Sequence, residues 1–346
     1  MSGPVITDEM RAKARTWQGD PYNGGEVHRE DIRKFATAVG DNNPLWLDAD
    51  YAGATRWGGI IAPPTFVDRF TPFYVLGDDN SQGYLGGPMP AQASFRHLVS
   101  GGDEHVVHRP VRPGDIITAT TTIGDMFEKR GRPGVGQMLF VRYDKTYRDQ
   151  RGEVVSVCRW TSVEYEGPAD GEEEPAVVPR LPHPPDGSRL PSNPGREELW
   201  ARPVYFEDVV DGFEPPPVSM LQTTKRFVRY AQASNDLTEI HYDYRLMRER
   251  GMPDVIGQGA LSAAYIASML SDWYTPDGLL KRISVQYRYF SFPGDVVTAR
   301  GIVTGKHREG GEGLVDLDVW AENQDGGKLT VGQAVVSLPS REVPGK

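Results

Sequence analysis

Asp236 and His241 stand five positions apart in the run Ser234-Asn235-Asp236-Leu237-Thr238-Glu239-Ile240-His241. A carboxyl and an imidazole are proton-transfer groups that can hold opposite protonation states near neutral pH, which general acid–base chemistry requires. The spacing suits a loop that turns both side chains into one pocket. Each residue alone also has an ordinary structural reading. A single histidine is more often a core or surface residue than a catalyst, and an aspartate after a helix is a frequent turn residue. Further on, Gly259 opens the most apolar helical run of the chain, Gly259 to Trp273. A helix beginning there offers unpaired N–H groups and the positive end of its dipole. Glycine at that point allows close backbone approach, to a ligand or to a packed neighbour.

The elements that must position these residues occur twice. Lys225 to Ala233 reads as a helix leading into the Asp236 loop, and Arg29 to Val39 as a helix leading into Gly40-Asp41-Asn42-Asn43-Pro44-Leu45-Trp46. Asp236 follows Asp41 by 195 positions, and His241 follows Trp46 by the same distance. That offset also aligns Ile60-Ile61-Ala62-Pro63-Pro64-Thr65 with Val255-Ile256-Gly257-Gln258-Gly259-Ala260. Pro110-Val111-Arg112-Pro113-Gly114-Asp115 corresponds to Phe290-Ser291-Phe292-Pro293-Gly294-Asp295 at an offset of 180, which places about fifteen extra residues in the first half, near Gly77 to Gly87 and Gly101-Gly102. Each Pro-Gly-Asp turn leads into a β-branched run. Each half then closes in a hairpin, Gln137 to Arg148 with Glu153 to Tyr165, and Gly313 to Glu322 with Lys328 to Leu338. Each half thus predicts a short helix, a loop, one apolar helix and three or four long antiparallel strands. The helix from Gly259 has no clear polar face, so other structure must wrap it. A helix wrapped by an antiparallel sheet makes an α+β domain.

Between the halves, Glu166 to Arg196 holds eight prolines and the acidic run Glu172-Glu173-Glu174. Prolines remove backbone donors and disfavour helix and central strand alike, which predicts an extended linker. The division is a first half over 1–165, a linker over 166–200 and a second half over 201–346. The net charge of −10, with no long Lys/Arg run, argues against nucleic acid or an anionic membrane as partner. Hydrophobic residues are 38% of the chain, enough for a core. Cys158 is the one cysteine, which excludes an internal disulfide and Cys-rich metal centres. The start of the chain lacks a basic-then-apolar pattern, and no apolar run is long enough to span a bilayer, so a cytoplasmic protein is expected.

A helix followed by Asp-x-x-x-x-His, an apolar helix opened by the pair Gly257 and Gly259, and a Pro-Gly-Asp turn before long strands resembles the MaoC-like hydratases and dehydratases. Two such halves in one chain resemble the double-hotdog, (R)-specific enoyl-CoA hydratases. The resemblance covers nearly all of the chain outside the linker. It implies a double hotdog, two repeats each of a central apolar helix wrapped by a long antiparallel sheet. It also implies a hydro-lyase, an enoyl-thioester hydratase or (3R)-hydroxyacyl-thioester dehydratase with syn addition or removal of water at C2–C3. The substrate would be a thioester of coenzyme A or of acyl-carrier protein, with no metal and no other cofactor. Carried over by position, Asp236 and His241 are the catalytic dyad. The backbone N–H of Gly259, with Gln258 beside it, holds the thioester oxygen. A homodimer, or a heteromer with another hotdog protein, is the implied assembly.

The family motif is Asp-x-Asn-Pro-x-His. The first half keeps Asp41, Asn43 and Pro44 but has Trp46 in place of histidine. The second keeps Asp236 and His241 but has Thr238 and Glu239 in place of Asn and Pro. The first half therefore reads as degenerate: Trp46 fills or walls the old site, and Pro64 has no N–H to offer where Gly259 stands. It survives as a folding partner or as an acyl-binding surface. Glu239, an extra carboxylate beside the dyad, motivates an alternative, a non-catalytic accessory subunit that binds an acyl chain and completes a partner's site. A thioesterase on the same fold is a third reading, which the Asp-to-His spacing opposes.

Other candidates read as ordinary. His97, His105 and His108 are taken as structural or exposed, with His105 and His108 on opposite strand faces. Cys158, with no obvious base nearby, is taken as a small core residue. Gly131-Arg132-Pro133-Gly134-Val135-Gly136 has the wrong spacing for a dinucleotide loop and leads into a strand. Lys225, Arg226, Lys281, Arg282 and Arg288 are candidates for coenzyme A phosphates, against the usual reading of such charges as solvated edges.

Overall fold

The computed structural model describes residues 5–19, 21–70, 95, 97–132, 134–167, 193 and 195–341. The first half contains α1 (Asp8–Thr16), β1 (Tyr22–Glu26), α2 (Arg29–Val39), α3 (Pro44–Leu47), α4 (Ala49–Ala54), β2 (His97–Val107), β3 (Ile116–Arg130), β4 (Gln137–Arg148) and β5 (Val154–Tyr165). The second contains α5 (Arg196–Leu199), β6 (Val218–Leu221), α6 (Thr224–Ser234), α7 (Tyr244–Glu249), α8 (Gly259–Tyr274), β7 (Leu279–Tyr287), β8 (Val296–Glu309), β9 (Glu312–Glu322) and β10 (Lys328–Leu338). The predicted helices and hairpins fall within a residue or two of these.

All ten strands form one antiparallel sheet in the order β1-β3-β4-β5-β2-β7-β10-β9-β8-β6. Read from the middle outwards, the two sides are the same half-sheet in mirror order. The seam is the pairing of β2 with β7, from Gly102 opposite Gln286 to Val106 opposite Arg282. A repeat that places equivalent strands back to back at a seam buries two edges at once, which removes the exposed edges that invite aggregation.

The second half-sheet wraps α8, every residue of which is buried from Leu261 to Tyr274. That explains the missing polar face. In the first half the chain after Pro63-Pro64 makes a 3-10 turn, Phe66–Phe70. The rest of the central helix expected in the first half and the expected Gly77 to Gly87 insertion lie outside the described residues, as does most of the Pro-rich segment. Its last residues differ from the expectation: Arg196–Leu199 form a helical turn, and the Arg196 side chain is only 12% exposed, so the chain is packed structure again before residue 200. No helix among the described residues is long and apolar enough to cross a membrane.

α2 and α6 are repeat equivalents and pack on each other, with Phe35 and Tyr230 in ring contact at 5.8 Å. Both end on a left-handed residue, Gly40 at φ +84° and Asn235 at φ +62°. Such a residue stops a helix and swings the next one inward. The next residues are Asp41 and Asp236. Arg226 Nη1 donates to the Val39 carbonyl at 2.8 Å, placing a cation on the orphan carbonyls at the end of α2.

The seam leaves no room for a side chain at Gly102, where a Cβ would lie 2.2 Å from the Val285 carbonyl oxygen. Gly102→Val should cost about 3 kcal/mol or more, measured by urea or thermal unfolding. An unchanged midpoint would show that the seam tolerates the insertion.

Candidate active site

The two ionisable residues meet. His241 Nε2 lies 3.5 Å from Asp236 Oδ2, in a turn, Glu239–His241, placed by the end of α6. His241 Nδ1 lies 2.7 Å from the Ile256 carbonyl. A carbonyl can only accept, so Nδ1 carries the proton and Nε2 faces the carboxylate. Thr238 Oγ1 donates to Asp236 Oδ1 at 2.6 Å. Threonine thus satisfies one carboxylate oxygen and leaves the other to the imidazole. Burial pushes the Asp236 carboxyl up, but the charge of a protonated His241 and the hydrogen bonds from His241 and Thr238 outweigh it, and the net shift is down. Glu239 does not line the cavity.

Asp236 and His241 open into a cavity of about 320 Å³. Gly259 and Gln258 line the same cavity. No Gln258 side-chain cap closes the first turn of α8, whose Gly259 and Ala260 line the cavity. Gln258 Nε2 donates to the Phe227 carbonyl at 3.1 Å, tying the start of α8 to α6. Its Oε1 is buried without a protein partner. The need for glycine at 259 comes from protein packing: a Cβ there would lie 2.8 Å from the Tyr287 ring.

The wall opposite α8 comes from the first half. Cross-strand register places Lys145, Cys158 and His105 in one row over β4, β5 and β2. The next row on that face holds Tyr143, Trp160 and Asp103. Lys145, Cys158, Trp160 and Asp103 line the cavity, as does Asp68 from the 3-10 turn. The Asp103 carboxylate accepts from the Tyr287 hydroxyl. Burial pushes Asp68 up to about 7, with the Lys145 charge pulling it down and the Asp236 charge pushing it further up. Asp103 is also raised, again by burial first. These residues were missed in the sequence, yet β4 holds a signal. Leu139, Val141, Tyr143, Lys145 and Tyr147 share the buried parity, and a lysine there is out of place.

One expectation is corrected here. His105 is fully buried, with Nε2 lying 3.6 Å from Asp68 and 3.8 Å from the Cys158 sulfur. Cys158 therefore does have an imidazole beside it. Burial holds that thiol well above its ordinary value and pushes His105 down, so no thiolate forms and the residue stays a weak nucleophile. Asp68, His105 and Cys158 offer three donor atoms within 4.8 Å of one another, a set that could ligate a metal. Lys145 shares this space and opposes a cation there. The side chain of His97 lies outside the described residues. Of the candidate phosphate-binding cations, Arg226 is spent on α2, Lys281 pairs with Glu312 and Arg282 with Glu104. Arg288 alone of them lines the cavity.

The equivalent site in the first half is closed. Trp46, Pro63, Pro64 and Tyr274 line a remnant of about 20 Å³. Trp46 is buried, as a residue filling the old site must be. Asp41 stays, but it faces Arg196 Nη2 at 3.9 Å, and Arg196 is paired with Asp272 of α8. Trp200 Nε1 donates to Asp272 at 3.0 Å. Burial pushes both carboxyls up while the guanidinium between them pulls the other way. Asn43 Nδ2 donates to Thr275 Oγ1 at 2.8 Å, so the Asn kept from the motif now clamps α8.

Each half of the chain is similar to known proteins. Residues 17–157 match the family described as "FAS1-like, dehydratase domain region", and residues 211–323 match the "MaoC like domain". A protein of Thermomonospora curvata described as a probable enoyl-CoA hydratase alpha subunit is 30% identical over 166 residues, 46% of this chain and 52% of that one. The chain thus spans about half the length of that curated relative. A solved MaoC-like dehydratase superposes with a TM-score of 0.68 at 23% identity, over 94% of this chain and 97% of that one. A Mycobacterium tuberculosis protein described as a double hotdog superposes at 0.60 with 13% identity, over 94% and 97%.

Arg196→Ala leaves two buried carboxyls facing each other without their cation, and should cost about 3–5 kcal/mol in urea unfolding. Asp68 gives a pH signature. Its folded pKa, about 7, lies above the ordinary aspartate value, so the folded form holds the proton more tightly. The sign is that stability falls as pH rises from about 4 through 7. Asp68→Asn should flatten the decline between pH 5 and 8 by about 1–3 kcal/mol, read from unfolding midpoints across that range.

Proposed function

The chain belongs to the MaoC-like hydratase and dehydratase family and has a double hotdog fold, and from that premise we propose that it hydrates a 2-enoyl thioester, or dehydrates the (3R)-hydroxyacyl thioester in reverse. The observation that carries this reading is the Asp236–His241 contact at 3.5 Å on the wall of a large cavity that the uncapped start of α8 also lines.

In the hydration direction, water sits between Asp236 and His241. One group takes a proton from water as the oxygen bonds to C3, and the C2–C3 π electrons move toward the thioester carbonyl. The enolate oxygen is held by the N–H of Gly259 at the positive end of α8. Collapse of the enolate takes a proton at C2 from the dyad. Both groups lie on one wall, so the hydroxyl and the proton arrive on one face, a syn addition. The bond from His241 Nδ1 to Ile256 keeps Nε2 aimed at the reacting atoms. Arg288, at the cavity wall, is the candidate for a coenzyme A phosphate. Coenzyme A or acyl-carrier protein as the carrier, a homodimer, and the absence of a cofactor belong to the same proposal.

Loss of the enoyl-thioester absorbance with trans-2-butenoyl-CoA tests it. Wild type should turn over, and His241→Ala and Asp236→Asn should each lower kcat about 10²- to 10⁴-fold, with folding checked by circular dichroism. Full activity in either variant overturns the assignment. A wild type inactive alone, but purified in fixed ratio with a second hotdog chain, would favour the accessory reading.

A further inference from the structure

The cavity that the dyad opens into is lined mostly by apolar side chains, among them Leu98, Val99, Ile240, Ile256 and Phe290, but one stretch of its wall is polar. An alkyl chain is stabilised by leaving water for apolar walls, at about 25 cal/mol per Å². Here the first-half wall presents Lys145, Asp103 and Asp68, which are 2%, 9% and 9% exposed. An alkyl chain packed against this stretch would gain less than against an apolar wall, because polar groups offer it no matching contact. The wall belongs to the same cavity as the dyad. Asp68 precedes Arg69, whose carbonyl accepts from Asn235 Nδ2 at 3.2 Å, and Asn235 precedes Asp236. The Lys145 ammonium lies 5.3 Å from the centre of the Trp160 ring, so an apolar surface flanks the polar one.

We propose that the acyl group this cavity accepts bears a hydroxyl along its chain, held between the Lys145 ammonium and the Asp103 and Asp68 carboxyls. The proposal rests on the thioester reading above and names its substrate class. The wall offers donors and acceptors together, and a hydroxyl both accepts and donates. It can accept from Lys145 and donate to a carboxylate. A chain carboxylate would instead add a third acidic group to a buried site that already pushes Asp68 and Asp103 toward their neutral forms. A chain amine would add a second cation beside Lys145. The neutral hydroxyl fits the mixed set without changing its charge.

Saturated thioesters measure the preference without turnover. Isothermal titration would compare octanoyl-CoA with its 5-, 6-, 7- and 8-hydroxy isomers, on wild type, Lys145→Met and Asp103→Asn. At least one isomer should bind about tenfold more tightly than octanoyl-CoA, the range of a hydrogen bond to a charged group. Either folded variant should reduce that ratio to about one. The ratio is taken within one preparation, so partial unfolding does not alter it. If no isomer binds more than threefold tighter than octanoyl-CoA, or if both variants keep the wild-type ratio, the proposal is overturned. If neither variant folds, the wild-type ratio decides it. A hydroxyl preference in a protein that does not hydrate trans-2-butenoyl-CoA would overturn the catalytic reading alone, and binding of no acyl-CoA would overturn both.

Discussion

The pairing of β2 with β7 brings two half-sheets edge to edge, with Gly102 and Gly332 each pressed against a β7 carbonyl. Because the seam joins equivalent strands, each half presents its helix-terminal loop to the other half. Asp41 is held against Arg196 and Asp272 of the second half, and the loop of Asp236 is tied to the Arg69 carbonyl of the first. Neither carboxyl faces a pocket built by its own repeat alone. Without the seam, the cavity beside Asp236 would lack its first-half wall.

From that near-symmetry the two sites diverge through a few side chains. Trp46 stands where His241 stands, and Pro64 stands where Gly259 offers an N–H. One site shrinks to about 20 Å³, while the other stays open at about 320 Å³. The sealed half still contributes, because its sheet supplies the far wall of the open cavity. It carries no dyad there but places a lysine, two aspartates and a histidine on a face that would otherwise be apolar. Buried ionisable groups cost free energy unless partnered, and here the Tyr287 hydroxyl meets Asp103 while His105 lies beside Asp68.

The departures of the dyad loop from its family motif follow the same logic. Threonine for asparagine at 238 gives the carboxylate a hydroxyl donor, and Glu239 is not among the residues that line the cavity. The loop therefore keeps one carboxylate oxygen free to face the imidazole. In the first half the retained Asn43 is recruited to hold α8 instead.

The sequence by itself determined the repeat, the helices, the hairpins and the Asp–His pair. Those features depend on local spacing: period-two alternation, a glycine or asparagine that ends a helix, and a fixed offset between copies. It also showed which half had lost its histidine and its N–H donor. Only the tertiary structure decided what faces what. Cys158 and His105 are 53 positions apart, and cross-strand register makes them neighbours. Arg196, read as linker, pairs with Asp272 and faces Asp41 because the chain re-enters the fold before residue 200. Lys145, Asp103 and Asp68 come from three separate segments, and their common cavity exists only once the sheet closes around it. Spacing along a chain encodes which way a side chain points from its own strand. Which strand lies opposite depends on the pairing of distant segments, and only the folded sheet contains that pairing.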